Sequence, residues 1–353
     1  MGRLWTRRAC LLAALALAMP AMAAPSPVHR IVAVGDLHGD FAAWRDIART
    51  AQLVDSQGSW VGGDTVLVQT GDVVDRGPDS LKIIQDLMRL QREAPNAKGQ
   101  VIALVGNHEA MNLAGDLRYV SAGDYAAFVD SGSVRRRENV YESNKKLIET
   151  AYRQRDPQMS GDAIKRAWLQ ATPLGSIEHR VAWGPRGRIG QWVVNNPAVV
   201  LLDGNLFVHG GISPAYAHRP IEEINRQVAD ALKTQGTDPQ AIFNDLLGPL
   251  WYRGLATANT EGADNIAARS TAAAPAGPPI EDQLQSLLSS FGAKRIVIGH
   301  TPVLSGIAML YGEKLIQIDT GISCVYNGKL SYLEIRDGTP IPHVVERSQS
   351  CMK

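Results

Sequence analysis

Five times along this chain a short apolar run stops where a glycine and a residue able to bind metal stand side by side. Arg30 to Val34 runs into Gly35-Asp36, Thr65 to Thr70 into Gly71-Asp72, and Val101 to Val105 into Gly106-Asn107-His108. Further on, Leu206 to Val208 ends at His209-Gly210-Gly211 and Arg295 to Ile298 at Gly299-His300. Runs this short, β-branched and without polar alternation predict strands buried on both faces. In open α/β sheets the ligand crevice lies where such strands run out. The repetition therefore restricts the chain to an α/β class with its chemistry at one sheet edge.

The segments between the runs agree. Phe41, Trp44, Ile47, Ala48 and Ala51 recur at helical spacing after Asp40, and Leu81, Ile84, Leu87, Met88 and Leu90 do so after Asp79. Both read as amphipathic helices packed on the sheet. From about 112 to 182 the chain is helix-prone and interrupts the strand series, which predicts an inserted helical cap. Its Arg135-Arg136-Arg137 triplet reads as a solvated helix face, with attraction of a phosphorylated partner as the second reading. Residues from about 256 to 279, rich in Ala, Gly, Pro and Thr, predict a mobile loop. Gly306 to Leu310, Lys314 to Ile318 and Leu330 to Ile335, with turns at Tyr311-Gly312 and Asn327-Gly328, predict antiparallel hairpins closing a second sheet.

A hydrophobic fraction of 45% and a charged fraction of 20% are ordinary for a soluble globular chain, and 353 residues suit one large domain with insertions. Net charge is +1 with no basic stripe, which argues against a nucleic-acid partner. Arg3, Arg7 and Arg8 precede the apolar run Leu11 to Met19, and Ala21-Met22-Ala23 offers a cleavable boundary. The expectation is a signal peptide over 1–23, removed to leave a domain over 24–353 that is periplasmic or secreted, with no stable membrane anchor. The run is well short of the roughly 20 apolar residues that span a bilayer. Its Arg7-Arg8 pair also resembles a twin-arginine export signal. Two cysteines then remain, Cys324 and Cys351, which form one disulfide in an oxidising compartment or stand as two free thiols.

The strand ends collect Asp36, His38, Asp72, Asn107, His209 and His300. Singly, an Asp caps helices, an Asn makes turns and a His satisfies buried groups; their recurrence in order outweighs that reading. Carboxylates, imidazoles and an amide suit borderline transition metals, and six ligands suit two ions. Two ions about 3.5 to 4 Å apart activate a shared water and stabilise an in-line displacement at phosphorus.

Three of these segments, Gly35-Asp36-Leu37-His38-Gly39, Gly71-Asp72-Val73-Val74-Asp75-Arg76-Gly77 and Gly106-Asn107-His108-Glu109, resemble the signatures of the phosphoprotein phosphatase family within the calcineurin-like metallophosphoesterases. With His209-Gly210-Gly211 and Gly299-His300-Thr301 downstream, the likeness covers residues 35–301. Through the Asp319-Thr320-Gly321 turn it is similar to the bacterial branch called Shewanella-like protein phosphatases. The resemblance implies a central two-sheet β-sandwich flanked by helices, and two divalent metals, manganese favoured over iron or zinc. It implies Asp36 and His38 on the first metal, Asp72 as bridge, and Asn107, His209 and His300 on the second.

The same resemblance implies hydrolysis of phosphate monoesters, on phosphotyrosine or phosphoserine/threonine in a protein or peptide, by a hydroxide held between the metals. His108 would protonate the leaving oxygen, with Asp75 orienting it, and Arg76, Asn107 and Arg253 would bind the phosphate. The sequence departs from eukaryotic members after Glu109, where Ala110-Met111-Asn112 follows, and at the C-terminal signature, which is missing. A dinucleoside polyphosphate hydrolase is the alternative.

Overall fold

The computed structural model describes residues 28–236, 238, 240–257 and 279–351. The leader expected over 1–23, and all but the ends of the loop expected over 256–279, lie outside the described residues. The strands are β1 Arg30–Val34, β2 Val66–Gln69, β3 Gln100–Ala103, β4 Val199–Leu202, β5 Asn205–Val208, β6 Arg295–Ile298, β7 Ala308–Leu310, β8 Leu315–Gln317, β9 Ser331–Arg336 and β10 Thr339–Val344. They form two five-stranded sheets, ordered β10-β9-β1-β2-β3 and β4-β5-β6-β8-β7.

Period-two geometry divides each strand between two cores. Ile31 and Ala33 of β1, Val66 and Val68 of β2, Phe207, Val297 and Ile316 face the gap between the sheets and build one apolar cluster. The alternate residues Val32, Val34, Leu67, Leu206 and Ile298 face outward and join the larger cluster under the helices. The strands read as continuous apolar runs because both faces are covered. The expected two-sheet sandwich with helical flanks is the observed architecture.

Helix Phe41–Thr50 begins at Asp40, whose carboxylate accepts the Ala43 N–H at 2.9 Å. Asp79 makes no such cap before helix Ser80–Glu93; it pairs with Lys82 at 2.7 Å instead. Between β3 and β4 the chain is helical over Asn107–Ala114, Ala122–Ala126, Ser133–Arg155, Gly161–Ala171, Ser176–Trp183 and Arg188–Asn195. In the basic triplet, Arg136 ion-pairs with Asp130 and with Glu178 at 2.7 Å, and Arg137 donates to the Thr172 carbonyl at 3.2 Å. Those two arginines fasten the long helix to its neighbours, which leaves Arg135 as the solvated member.

The late hairpins differ from expectation. β7 and β8 do close the second sheet, turning at Tyr311-Gly312, where both residues have positive φ. The pair β9 and β10 joins the first sheet, with Ile335 beside Ile31 and Leu333 beside Ala33. β1 needs a partner on its outer edge, and Arg30 sets the register by donating to Glu334 at 2.6 Å. The hairpin turns at Asp337-Gly338, both at positive φ as a two-residue type I′ connection requires. Asn327-Gly328 lies in the loop before β9 and joins no two paired strands. No helix among the described residues is long and apolar enough to cross a membrane.

Candidate active site

Each expected ligand sits just beyond a strand, and both sheets contribute. The loops after β1 and β2 bring Asp36, His38 and Asp72, the first turn of the helix after β3 brings Asn107 and His108, and the loops after β5 and β6 bring His209 and His300. All are buried. The loops are tightly folded: His38, Asp72, Asp75, Arg76 and His300 all have φ between 40° and 69°, a region that costs a non-glycine residue roughly 1 to 3 kcal/mol. Neighbours hold them there. Glu109 accepts the N–H groups of Asp72, Val73 and Gly106 at 2.8 to 2.9 Å. Gly39 and Gly77 lie so close that a Cβ on Gly39 would come to 2.5 Å from the Gly77 carbonyl oxygen, and one on Gly77 to 2.5 Å from the His38 carbonyl oxygen and 2.8 Å from that of Gly39.

Asp72 is at the centre. Its carboxylate oxygens lie 3.8 Å from His38 Nε2, 3.9 Å from His108 Nε2 and 3.4 Å from His209 Nε2. Two ligand-capable groups share it: His38, Asp72 and His108, and Asp72, His209 and His300, with donor atoms in each group within 4.8 Å of one another. Asp36 lies 4.0 Å from His38 Nε2 and accepts the His300 N–H. Asn107 Oδ1 is 2.9 Å from His209 Nε2. All six expected ligands are therefore drawn together, and His108 lies within reach of the same centre.

The donor set fits metal. His38 Nδ1 lies 3.0 Å from the Val74 carbonyl and His209 Nδ1 2.9 Å from the Thr70 carbonyl, and a carbonyl only accepts, so both Nδ1 atoms carry the proton. Each bare Nε2 then faces carboxylate oxygen, lone pair against lone pair, an arrangement that a cation satisfies. His300 Nε2 is buried with no hydrogen-bond partner among the described residues. Burial holds the His38 imidazole down to about 3 and His300 well below its usual value, so both are neutral, as ligands must be. Burial, then Asp319 and Asp72, pushes the Asp36 carboxyl well above its usual value. Burial and Asp72 raise Glu109 to about 7, and burial raises Asp319 to about 6. With Asp36, Asp72, Asp75, Glu109 and Asp319 all buried, the pocket is short of positive charge, which divalent metal would supply.

Beside this centre His108 Nδ1 lies 2.6 Å from Asp75 Oδ2. Burial lowers the His108 pKa, yet Asp72 and the Asp75 bond outweigh it and leave it raised. Asp75 is fixed in turn by Asn112, whose amide donates to it at 2.8 Å, and its own N–H donates to Ser80 Oγ at 3.0 Å. Arg76, Asn107, His108, Tyr119, Trp251 and Arg253 line a cleft of about 360 Å³. Arg253 donates to the His300 carbonyl at 2.8 Å and to Thr301 Oγ1 at 3.0 Å.

Sequence reasoning did not assign roles to Asn112, Tyr119, Asp319 or Tyr326. Asn112 lies one helical turn beyond His108, a spacing that could have flagged it. Tyr119 and Tyr326 lie in loops, and only folding brings them to the site.

Residues 29–304 match the model of the calcineurin-like phosphoesterase family. The Arabidopsis thaliana protein named Shewanella-like protein phosphatase 2 is 32% identical over 87% of this chain and 75% of its own length. An uncharacterised protein of Schizosaccharomyces pombe is 30% identical over 86% of this chain and 76% of its own. Among solved structures, the cold-active protein-tyrosine phosphatase of a psychrophilic Shewanella species shares the fold with a TM-score of 0.62 at 22% identity, over 90% of this chain and 81% of that one. With the ligand-bearing strand ends in family order and all six side chains converged, the chain belongs to the calcineurin-like phosphoesterases, a family of phosphoester hydrolases.

Proposed function

We propose that this chain is a metal-dependent phosphatase that hydrolyses phosphate monoesters, with phosphorylated protein or peptide as substrate. The observation that carries the reading is the 2.6 Å His108–Asp75 pair at the edge of the ligand cluster, in a cleft that also holds Arg76 and Arg253. A monoester needs a proton on its departing alkoxide and fixed positive charge on its remaining oxygens. Asp36 and His38 would hold one ion and Asn107, His209 and His300 a second, with Asp72 shared. When bound, the two ions supply Lewis acidity and an activated water. Arg76, Arg253 and the Asn107 amide orient the phosphate. Asp75 keeps the His108 proton-bearing form in place, so that Nε2 delivers a proton to the leaving oxygen.

The similarity to a plant chain named a protein phosphatase supports phosphoprotein substrates over dinucleoside polyphosphates. Manganese, export and a periplasmic or secreted location belong to the same reading, on the donor chemistry and the leader sequence. The test is phosphate release by the mature protein from matched phosphotyrosine and phosphoserine/threonine peptides, with manganese and with a chelator. Chelator-sensitive release is expected, and the ratio between peptides assigns the substrate. Release from diadenosine tetraphosphate but from no peptide would move the function to the alternative.

A further inference from the structure

Arg76 is held in an unusual way. Its guanidinium carbon lies 4.6 Å from the centre of the Tyr119 ring and 5.2 Å from that of Tyr326. Its Nε is buried with no hydrogen-bond partner among the described residues. Two aromatic rings, rather than a carboxylate, therefore define where this cation points. That choice matters chemically. A carboxylate would neutralise the guanidinium and occupy the donors that phosphate needs, whereas ring faces attract the cation and leave its N–H groups free for an anion.

The rings come from distant parts of the chain. Tyr119 lies in the loop before helix Ala122–Ala126; its carbonyl accepts the Arg76 N–H at 2.9 Å and its ring lies 5.0 Å from that of His108. Tyr326 lies in the loop between β8 and β9, its ring 5.4 Å from that of His38. That second loop is tied down at its base. Cys324 is bridged to Cys351 in the C-terminal tail. The Cys324 N–H donates to Asp40 at 3.0 Å, and Arg347 of the tail donates to the same Asp40 oxygen at 2.9 Å. Ser323 Oγ donates to the His38 carbonyl at 3.2 Å.

The geometry points to Tyr119 and Tyr326 as positioning residues that clamp Arg76 for phosphate, with the Cys324–Cys351 bridge holding the Tyr326 side of the clamp. The inference rests on the phosphatase reading of this site and adds the device that aims its arginine. The C-terminal tail thereby reaches the phosphate site without touching substrate.

The experiment uses the full mature chain with manganese, in wild-type form and as Tyr119→Leu, Tyr326→Leu, Tyr326→Phe, Cys351→Ser, Arg76→Ala and the Arg76→Ala/Tyr326→Leu double variant. It reads inorganic phosphate binding by calorimetry, KM and kcat on p-nitrophenyl phosphate, and metal content. Either leucine variant should weaken phosphate binding and raise KM by roughly five- to tenfold, with metal content unchanged. Tyr326→Phe should restore both, Cys351→Ser should show a smaller loss in the same direction, and Tyr326→Leu should add nothing to Arg76→Ala. Unchanged binding in both leucine variants, a loss that phenylalanine does not restore, additive losses in the double variant, or lost metal would overturn the clamp. Wild-type binding by Cys351→Ser would overturn the role of the bridge. If the wild-type protein binds phosphate through Arg76 but hydrolyses no monoester, the phosphatase reading falls and the binding data still decide the clamp. If hydrolysis is robust and the leucine variants bind normally, the clamp falls alone.

Discussion

At the scale of single residues, burial and the neighbouring carboxylates make opposite demands on the His108 imidazole. Burial favours its neutral form, while Asp72 and the short bond to Asp75 favour the charged, proton-donating form, and the raised pKa shows which side prevails. His108→Asn should therefore keep its metal and slow hydrolysis of alkyl phosphates by about 10²-fold or more, with a much smaller loss on p-nitrophenyl phosphate, whose leaving group needs little protonation. Equal losses on both substrates would remove His108 from the acid role. A proton donor works only while protonated, so activity falls as pH rises through its pKa. Asp75→Asn removes a group that raises that pKa, so the alkaline limb of the kcat profile should move to lower pH. A limb that stays in place or moves upward would mean that Asp75 does not charge the imidazole.

At the scale of elements, helix Ser176–Trp183 presents His179 to an aromatic cage of Tyr125, Phe128 and Trp183, with ring centres 5.2 to 5.8 Å away. Burial, helped by Arg180, depresses this imidazole to about 4. The folded pKa lies below the unfolded value, so the fold favours neutral His179. The associated stability is complete above the unfolded pKa of about 6.5 and is lost as pH falls from there toward 4. The expected loss at pH 4 is on the order of 3 kcal/mol. Urea unfolding at pH 7 and pH 5 should show a lower midpoint at pH 5, and His179→Phe should reduce that difference. An equal pH dependence in wild type and variant would assign it elsewhere.

At the scale of the whole molecule, the candidate metal centre fastens the two sheets together, since Asp36, Asp72 and Asn107 follow strands of one and His209 and His300 strands of the other. Metal bound only to the folded state stabilises by about 2.7 kcal/mol at a hundredfold excess over its Kd. Chelation should therefore lower Tm by several degrees and abolish hydrolysis, and excess manganese should restore both. Asp72→Asn should lose metal as well as turnover, because Asp72 belongs to both ligand groups. Two metals retained with full activity would contradict that shared position. The Cys324–Cys351 bridge closes a loop across a separation of 27 residues, which in the chain-entropy account contributes about 3.5 kcal/mol.

The sequence by itself determined the strand runs, the residues at their ends and hence the donor set, because each strand end is a local signal: an apolar run, a glycine, a polar side chain. It also determined the Asp75–His108 assignment, through motif position. Pairing across the chain was decided only by tertiary structure. The hairpin of β9 and β10 carries its own turn at Asp337-Gly338, yet its place beside β1 depends on which sheet edge is free and on an Arg30–Glu334 contact 304 residues apart. The disulfide was equally open in the sequence, since two cysteines pair only if the fold brings them together. Tyr119 and Tyr326 show the same limit. Nothing near either tyrosine signals Arg76, because a ring over a distant cation is a property of space, and that space exists only once three loops have packed against one another.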